Sequence, residues 1–159
     1  MTTHNIENTL KKLGIEIPEA LTPVANYIGF VKSCTQVFIS GQLPIENGQV
    51  KYIGKVGDNI SIEDAKKAAR LCAINLVSQL KVACGGDLDR VRKCVKLGIF
   101  VNATPDFTDH PAVGNGASDL MVEIFGEKGK HARFAMGAGS LPRGVAVEID
   151  AIFEIDDYS

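Results

Sequence analysis

Three side chains in the last third of the sequence have the makings of a site for small acids: Arg133, Glu148 and Asp150. The segments carrying them, 132–138 and 145–155, alternate in the manner of β-strands and are separated by Gly139-Ser-Leu-Pro-Arg-Gly144, a run of turn formers. A hairpin centred between Leu141 and Pro142 sets Arg133 opposite Asp150, with Glu148 as its diagonal neighbour within about 8 Å. A guanidinium there can grip a carboxylate through two parallel hydrogen bonds, and an acid beside it can orient or deprotonate a water. The same spacing fits a cross-strand ion pair on a solvated sheet face. Spacing leaves both readings open, and it does not say which of the two acids handles the water.

Elsewhere the chemistry is thinner. Ser40-Gly41-Gln42 closes an aliphatic run and offers a hydroxyl, an amide and a permissive backbone. His4, His110 and His131 lack the close spacing of a helix-borne or CxxC-type metal site, so a metal is not expected. Cys94, His110 and Asp106 supply the residue types of a nucleophilic triad. Cys94 nevertheless falls in a strand pattern, and Cys72 and Cys84 in a helical one, which favours buried, inert thiols. Glycines near 114 and 137 do not have phosphate-loop spacing.

Charge narrows the partners. Seventeen Lys plus Arg against nineteen Asp plus Glu give a net charge of −2, and no basic stripe stands out, which disfavours nucleic acid. The 159 residues, 45% hydrophobic and 23% charged, describe one globular domain with a sizeable core. No apolar run approaches the roughly 18 residues of a membrane span, and the first twenty residues hold no signal-peptide core. Four cysteines outside any CxxC pair read as reduced thiols, and a cytoplasmic location follows as the expectation.

The elements that must position these residues are legible in outline. Ile6, Leu10 and Leu13 predict a short helix over 3–13 that stops at Gly14. Residues 27–31 and 37–41 predict a hairpin, and 42–58 a loop with one edge strand near 50–53. Ser61 caps a long helix whose stripe of Ile62, Ala65, Ala69, Cys72, Leu76, Leu80 and Ala83 faces a core, ending at Gly85-Gly86. A strand over 91–101 places Val95, Leu97, Ile99 and Val101 on one face, and a second helix covers 111–125. The order argues for an α+β fold, a mixed sheet with both main helices on one face. The chain reads as a single domain, residues 1–20 forming a helical extension and 21–155 the core.

These residues also resemble a known family. Val37-Phe-Ile-Ser-Gly-Gln-Leu-Pro44 is similar to its strand-loop signature, and Ala132-Arg133, Leu141-Pro142 and Val147-Glu-Ile-Asp-Ala-Ile152 are similar to its C-terminal signature. The family is RidA, also called YjgF or endoribonuclease L-PSP, and the resemblance covers roughly residues 20 to 155. It implies a chorismate-mutase-like fold, a homotrimer built around a central barrel, sites in the clefts between subunits, and hydrolysis of reactive enamines and imines to 2-oxo acids and ammonia without a cofactor. Carried over by motif, Arg133 holds the substrate carboxylate and Glu148 positions the attacking water. Ser40, Gly41, Tyr27 and Asn115 line the pocket, and Ala135 stands where active members often have cysteine. His131 and Phe134 depart from the usual Pro-Ala-Arg-Ser or Pro-Ala-Arg-Thr surroundings of the arginine, the mark of a distinct subgroup.

Three function classes follow: an imine deaminase, a trimer that binds a 2-oxo acid or a partner without turnover, and an endoribonuclease. Ligand binding without ammonia release separates the second from the first. The absence of a basic stripe or an aromatic platform speaks against the third.

Overall fold

A computed structural model describes residues 5–157. The chain runs α1 (Ile6–Leu13), β1 (Phe30–Ser33), β2 (Gln36–Gln42), β3 (Ile45–Glu46), β4 (Gln49–Val50), α2 (Ile62–Ala83), β5 (Val91–Asn102), α3 (His110–Phe125), β6 (Ala132–Ala138) and β7 (Val147–Ile155). His4 and the start of the predicted first helix lie outside the described residues.

Local signals set the helix ends. Ser61 Oγ accepts from the Asp64 N–H at 3.1 Å, and Asn5 Oδ1 does the same for the Asn8 N–H at 2.8 Å, each satisfying an orphan donor of the first turn. Gly14, in the left-handed region at φ 68°, ends α1. The predicted stripe of α2 from Ala65 to Ala83 is buried, although Ile62 at its start is only half-buried. Polar groups of the same helix hold the chain around it: Ser78 Oγ donates to the Pro18 carbonyl, Gln79 Nε2 to that of Leu21, and Asn75 Nδ2 to those of Leu43 and Ile45. The loop after β2 thus carries a two-residue hairpin, β3–β4, where one edge strand was expected.

Five strands form the main sheet in the order β1-β2-β7-β5-β6, and α2 and α3 pack together on one face of it, in agreement with the predicted α+β architecture. Two expectations fail. Strands β6 and β7 are not a hairpin, because β6 pairs parallel with β5 while β7 runs antiparallel between β2 and β5. The reason lies in the β5-α3-β6 connection: a crossover helix of this length lays the second strand parallel to the first, and so claims the edge of β5 for β6. In β5 itself, register shifts at Val91/Lys93 and Cys94/Lys96 put Cys94 in the core and leave Val95 only half-buried.

The face away from the helices is not simply acidic. Besides Glu148 and Asp150 it bears Val31, Phe38 and Met136, all exposed, with Phe100 and Phe134 in edge-to-face contact at 5.2 Å. Among the described residues, no helix is long and apolar enough to cross a membrane.

Candidate functional site

Sheet register divides the candidate residues between two faces. One row runs Ile39, Ala151, Leu97, Arg133 across β2, β7, β5 and β6, and its first three members are buried core residues. Side chains of one row share a face, so Arg133 points to the helix side. There its Nη1 donates to Ser118 Oγ at 3.0 Å and its Nη2 to the Pro111 carbonyl at 3.3 Å, both on α3. Another row, Glu148, Phe100, Met136, lies on the open face. Arg133 is therefore neither opposite Asp150 nor diagonal to Glu148, and the expected cross-strand cluster is replaced by two half-sites on opposite sides of one sheet.

The first half-site gathers Glu148, Ser40, Gly41 and the segment of Tyr27. A register shift between Ile39 and Gln42 bulges β2 at Ser40-Gly41. Glu148 lies across that bulge, where a Cβ on Gly41 would stand 2.5 Å from Glu148 Oε1, so the position tolerates only glycine while the carboxylate lies there. Ser40 Oγ donates to the Ile28 carbonyl at 2.7 Å and its N–H to that of Gly29 at 2.9 Å, which ties the stretch carrying the exposed Tyr27 to the bulge. Loss of water around the half-buried Glu148 raises its pKa above the ordinary glutamate value, and the like charge of Asp150 adds to the rise. Asp150 is itself raised by desolvation, opposed by the Gly98 backbone and by Lys96.

The second half-site lies between β6 and α3. Ala135 shares the helix-facing side of β6 with Arg133, and Gly114 leaves room for both: a Cβ there would come within 3.0 Å of Arg133 Nη1 and 3.5 Å of the Ala135 methyl carbon. Asn115, the expected asparagine of this helix, is exposed, and the residue bonded to Arg133 is Ser118. Ser118 in turn bonds His131. Neither was a candidate pocket residue. Its signal was the helical period, since Ser118 lies one turn beyond Gly114 on the face turned to β6.

Thiol chemistry finds no support at these half-sites. Burial pushes the thiol of Cys84 up to about 11 and that of Cys94 up to about 12, and Cys72, fully buried, is raised well above its usual value, so all three stay protonated at neutral pH.

Known proteins share this fold. The family model described as "YjgF/chorismate mutase-like, putative endoribonuclease" matches residues 7–149. The chain is 46% identical to Protein TCP17 of Trypanosoma cruzi over 149 residues, 93% of this chain and 92% of that one. A crystal structure of the protein Atu1372 from Agrobacterium tumefaciens, described as of unknown function, superposes with a TM-score of 0.89 at 46% identity, covering 95% of this chain and 92% of that one. RidA from the Antarctic bacterium Psychrobacter sp. superposes less closely, with a TM-score of 0.58 at 27% identity over 86% of this chain and 94% of that one. The signatures around Ser40 and Glu148, the mixed sheet with its helices on one face, and the family match across residues 7–149 lead to one assignment: the chain belongs to the RidA/YjgF, chorismate-mutase-like family.

Proposed function

We propose that the protein is a cofactor-independent deaminase that hydrolyses small 2-imino acids to 2-oxo acids and ammonia, at sites completed by two neighbouring subunits of a homotrimer. The observation that carries this reading is the separation of Arg133 from Glu148 on opposite faces of one sheet. A substrate held by Arg133 of one copy meets the Glu148, Gly41 and Ser40 of the next when the open face of that copy is covered. The exposed apolar side chains of that face, Val31, Phe38 and Met136, support such a covering.

In the proposed reaction the substrate carboxylate takes the guanidinium fork of Arg133, which fixes the adjacent C=N bond. Glu148 accepts a proton from water as the oxygen bonds to the electrophilic imine carbon. The same carboxyl then returns that proton to the nitrogen, and as the C–N bond of the protonated adduct breaks it takes the hydroxyl proton, so that the C=O bond forms and ammonia leaves a 2-oxo acid. A carboxyl raised above the ordinary glutamate value by burial and by the Asp150 charge holds a proton more readily, which suits the second step. The net charge of −2 and the acids of the open face favour a small charged ligand over a nucleic-acid backbone.

Ammonia release from freshly generated imines of several amino acids tests the chemistry, and sedimentation at micromolar concentration tests the assembly. Release well above the uncatalysed rate and a mass near three chains are the expected results. Tight 2-oxo acid binding without ammonia release would instead identify a metabolite-binding trimer, and a clean monomer would remove the shared site.

A further inference from the structure

The hydrogen bonds behind Arg133 run in one direction. His131 Nδ1 lies 2.6 Å from the Gly129 carbonyl oxygen. A carbonyl only accepts, so in the neutral ring the proton sits on Nδ1 and Nε2 presents a lone pair. Ser118 Oγ, 2.8 Å from Nε2, therefore donates its proton to His131. The oxygen is left to accept, and it accepts from Arg133 Nη1 at 3.0 Å. With the ring neutral, every donor in the series Arg133, Ser118, His131, Gly129 thus has its direction fixed by the carbonyl at the far end. That end is anchored: Gly129 is buried, and a Cβ there would overlap the Met121 carbonyl of α3.

We propose that Ser118 and His131 are positioning residues that hold the guanidinium plane of Arg133 for a substrate carboxylate and thereby set the affinity of the site for 2-imino and 2-oxo acids. The proposal rests on the carboxylate-binding role of Arg133 given above. Two of the five guanidinium N–H groups are engaged, by Ser118 and by Pro111, which leaves the others for the ligand. Unheld, an arginine on an edge strand samples many rotamers, and ordering it falls on the binding step. A serine backed by a histidine also has the outline of an activated nucleophile. Here the hydroxyl oxygen accepts from a cation, which weakens it as a nucleophile and strengthens it as an anchor. In this chain the anchor depends on His131, one of the residues that departs from the usual surroundings of the family arginine.

The test measures 2-oxobutanoate binding by calorimetry, with KM and kcat for its imine, in Ser118→Ala, His131→Phe, the double variant and Ser118→Thr, with Arg133→Ala as reference. Each of the first two is expected to weaken binding and raise KM about tenfold, the scale of one hydrogen bond to a charged group, with kcat changed less than about twofold. Because both act through one series of bonds, the double variant should be no worse than Ser118→Ala within about twofold. Ser118→Thr keeps the hydroxyl and should bind like the parent. Binding of the uncharged amide of the same oxo acid should not change in any of them, a readout that general loosening of the fold would move. Ser118→Ala removes a single oxygen and carries the test should the histidine variant fail to fold. Affinities within about twofold of the parent in both single variants, while Arg133→Ala loses binding, would overturn the positioning role, as would additive losses in the double variant. Unchanged binding in Arg133→Ala would overturn the carboxylate reading and the positioning role with it.

Discussion

Arg133→Ala is expected to weaken 2-oxo acid binding by about 30-fold or more, because removing one member of a hydrogen-bonded charge pair costs about 2–5 kcal/mol. Arg133→Lys is expected to recover only part of this. Lysine keeps the charge but offers a point donor in place of a planar fork, and it cannot engage Ser118, Pro111 and a carboxylate in one plane. Thermal unfolding should shift little in either variant, since the side chain is half-exposed and its partners on α3 remain accessible to water. Calorimetric titration with 2-oxobutanoate checks the first expectation and a melting curve the second. Undiminished affinity in the alanine variant would reduce Arg133 to a tie between β6 and α3.

The second large effect concerns Glu148→Gln, which should slow ammonia release by about 10²- to 10⁴-fold, the usual contribution of a general acid-base group, with ligand affinity nearly intact. The same substitution should stabilise the fold at neutral pH. Burial and the Asp150 charge raise the native pKa of Glu148, so the native state binds more protons than the unfolded chain above the ordinary glutamate value of about 4.3. Stability contributed by this group is therefore present below that value and lost as pH rises through the raised native one, and glutamine removes the loss. Melting temperature against pH should fall less steeply in that interval for the variant than for the parent. Asp150→Asn serves as the control for the acid: it should leave turnover nearly unchanged. If Asp150→Asn stops ammonia release and Glu148→Gln does not, the water belongs to Asp150.

Much of the framework was legible because it depends on local chemistry. Ser61 and Gly85-Gly86 bracket α2 through capping and chain freedom, and the period of its apolar residues finds the buried face without knowledge of what lies opposite. The alternation of Val147, Ile149, Ala151, Phe153 and Ile155 likewise places β7 with its core face correct. The order of strands was not local. A turn-rich link such as 139–144 looks the same whether it joins neighbours or steps over an intervening strand, and only the length of the α3 crossover hinted that β6 belongs beside β5. That misreading moved Arg133 to the wrong face and beside the wrong partners. The bulges in β5 shifted the alternation by one residue near Val95, an event that a period-two pattern cannot register. At the candidate site, motif matching singles out Arg133 and Glu148 as candidates, whereas Ser118 and His131 follow from which helix face meets β6.

The opposition of Arg133 and Glu148 across one sheet also bears on heredity. If each site takes its arginine from one chain and its acid from the next, a gene product lacking Arg133 and another lacking Glu148 are each inert alone but complement each other. In trimers assembled at random from equal amounts of both, about a quarter of the sites join an intact Arg133 to an intact neighbouring Glu148. Two loss-of-function alleles in one cell then restore partial activity, and co-refolding the two purified variants does the same in a test tube. A site confined to a single chain would gain nothing from the mixture.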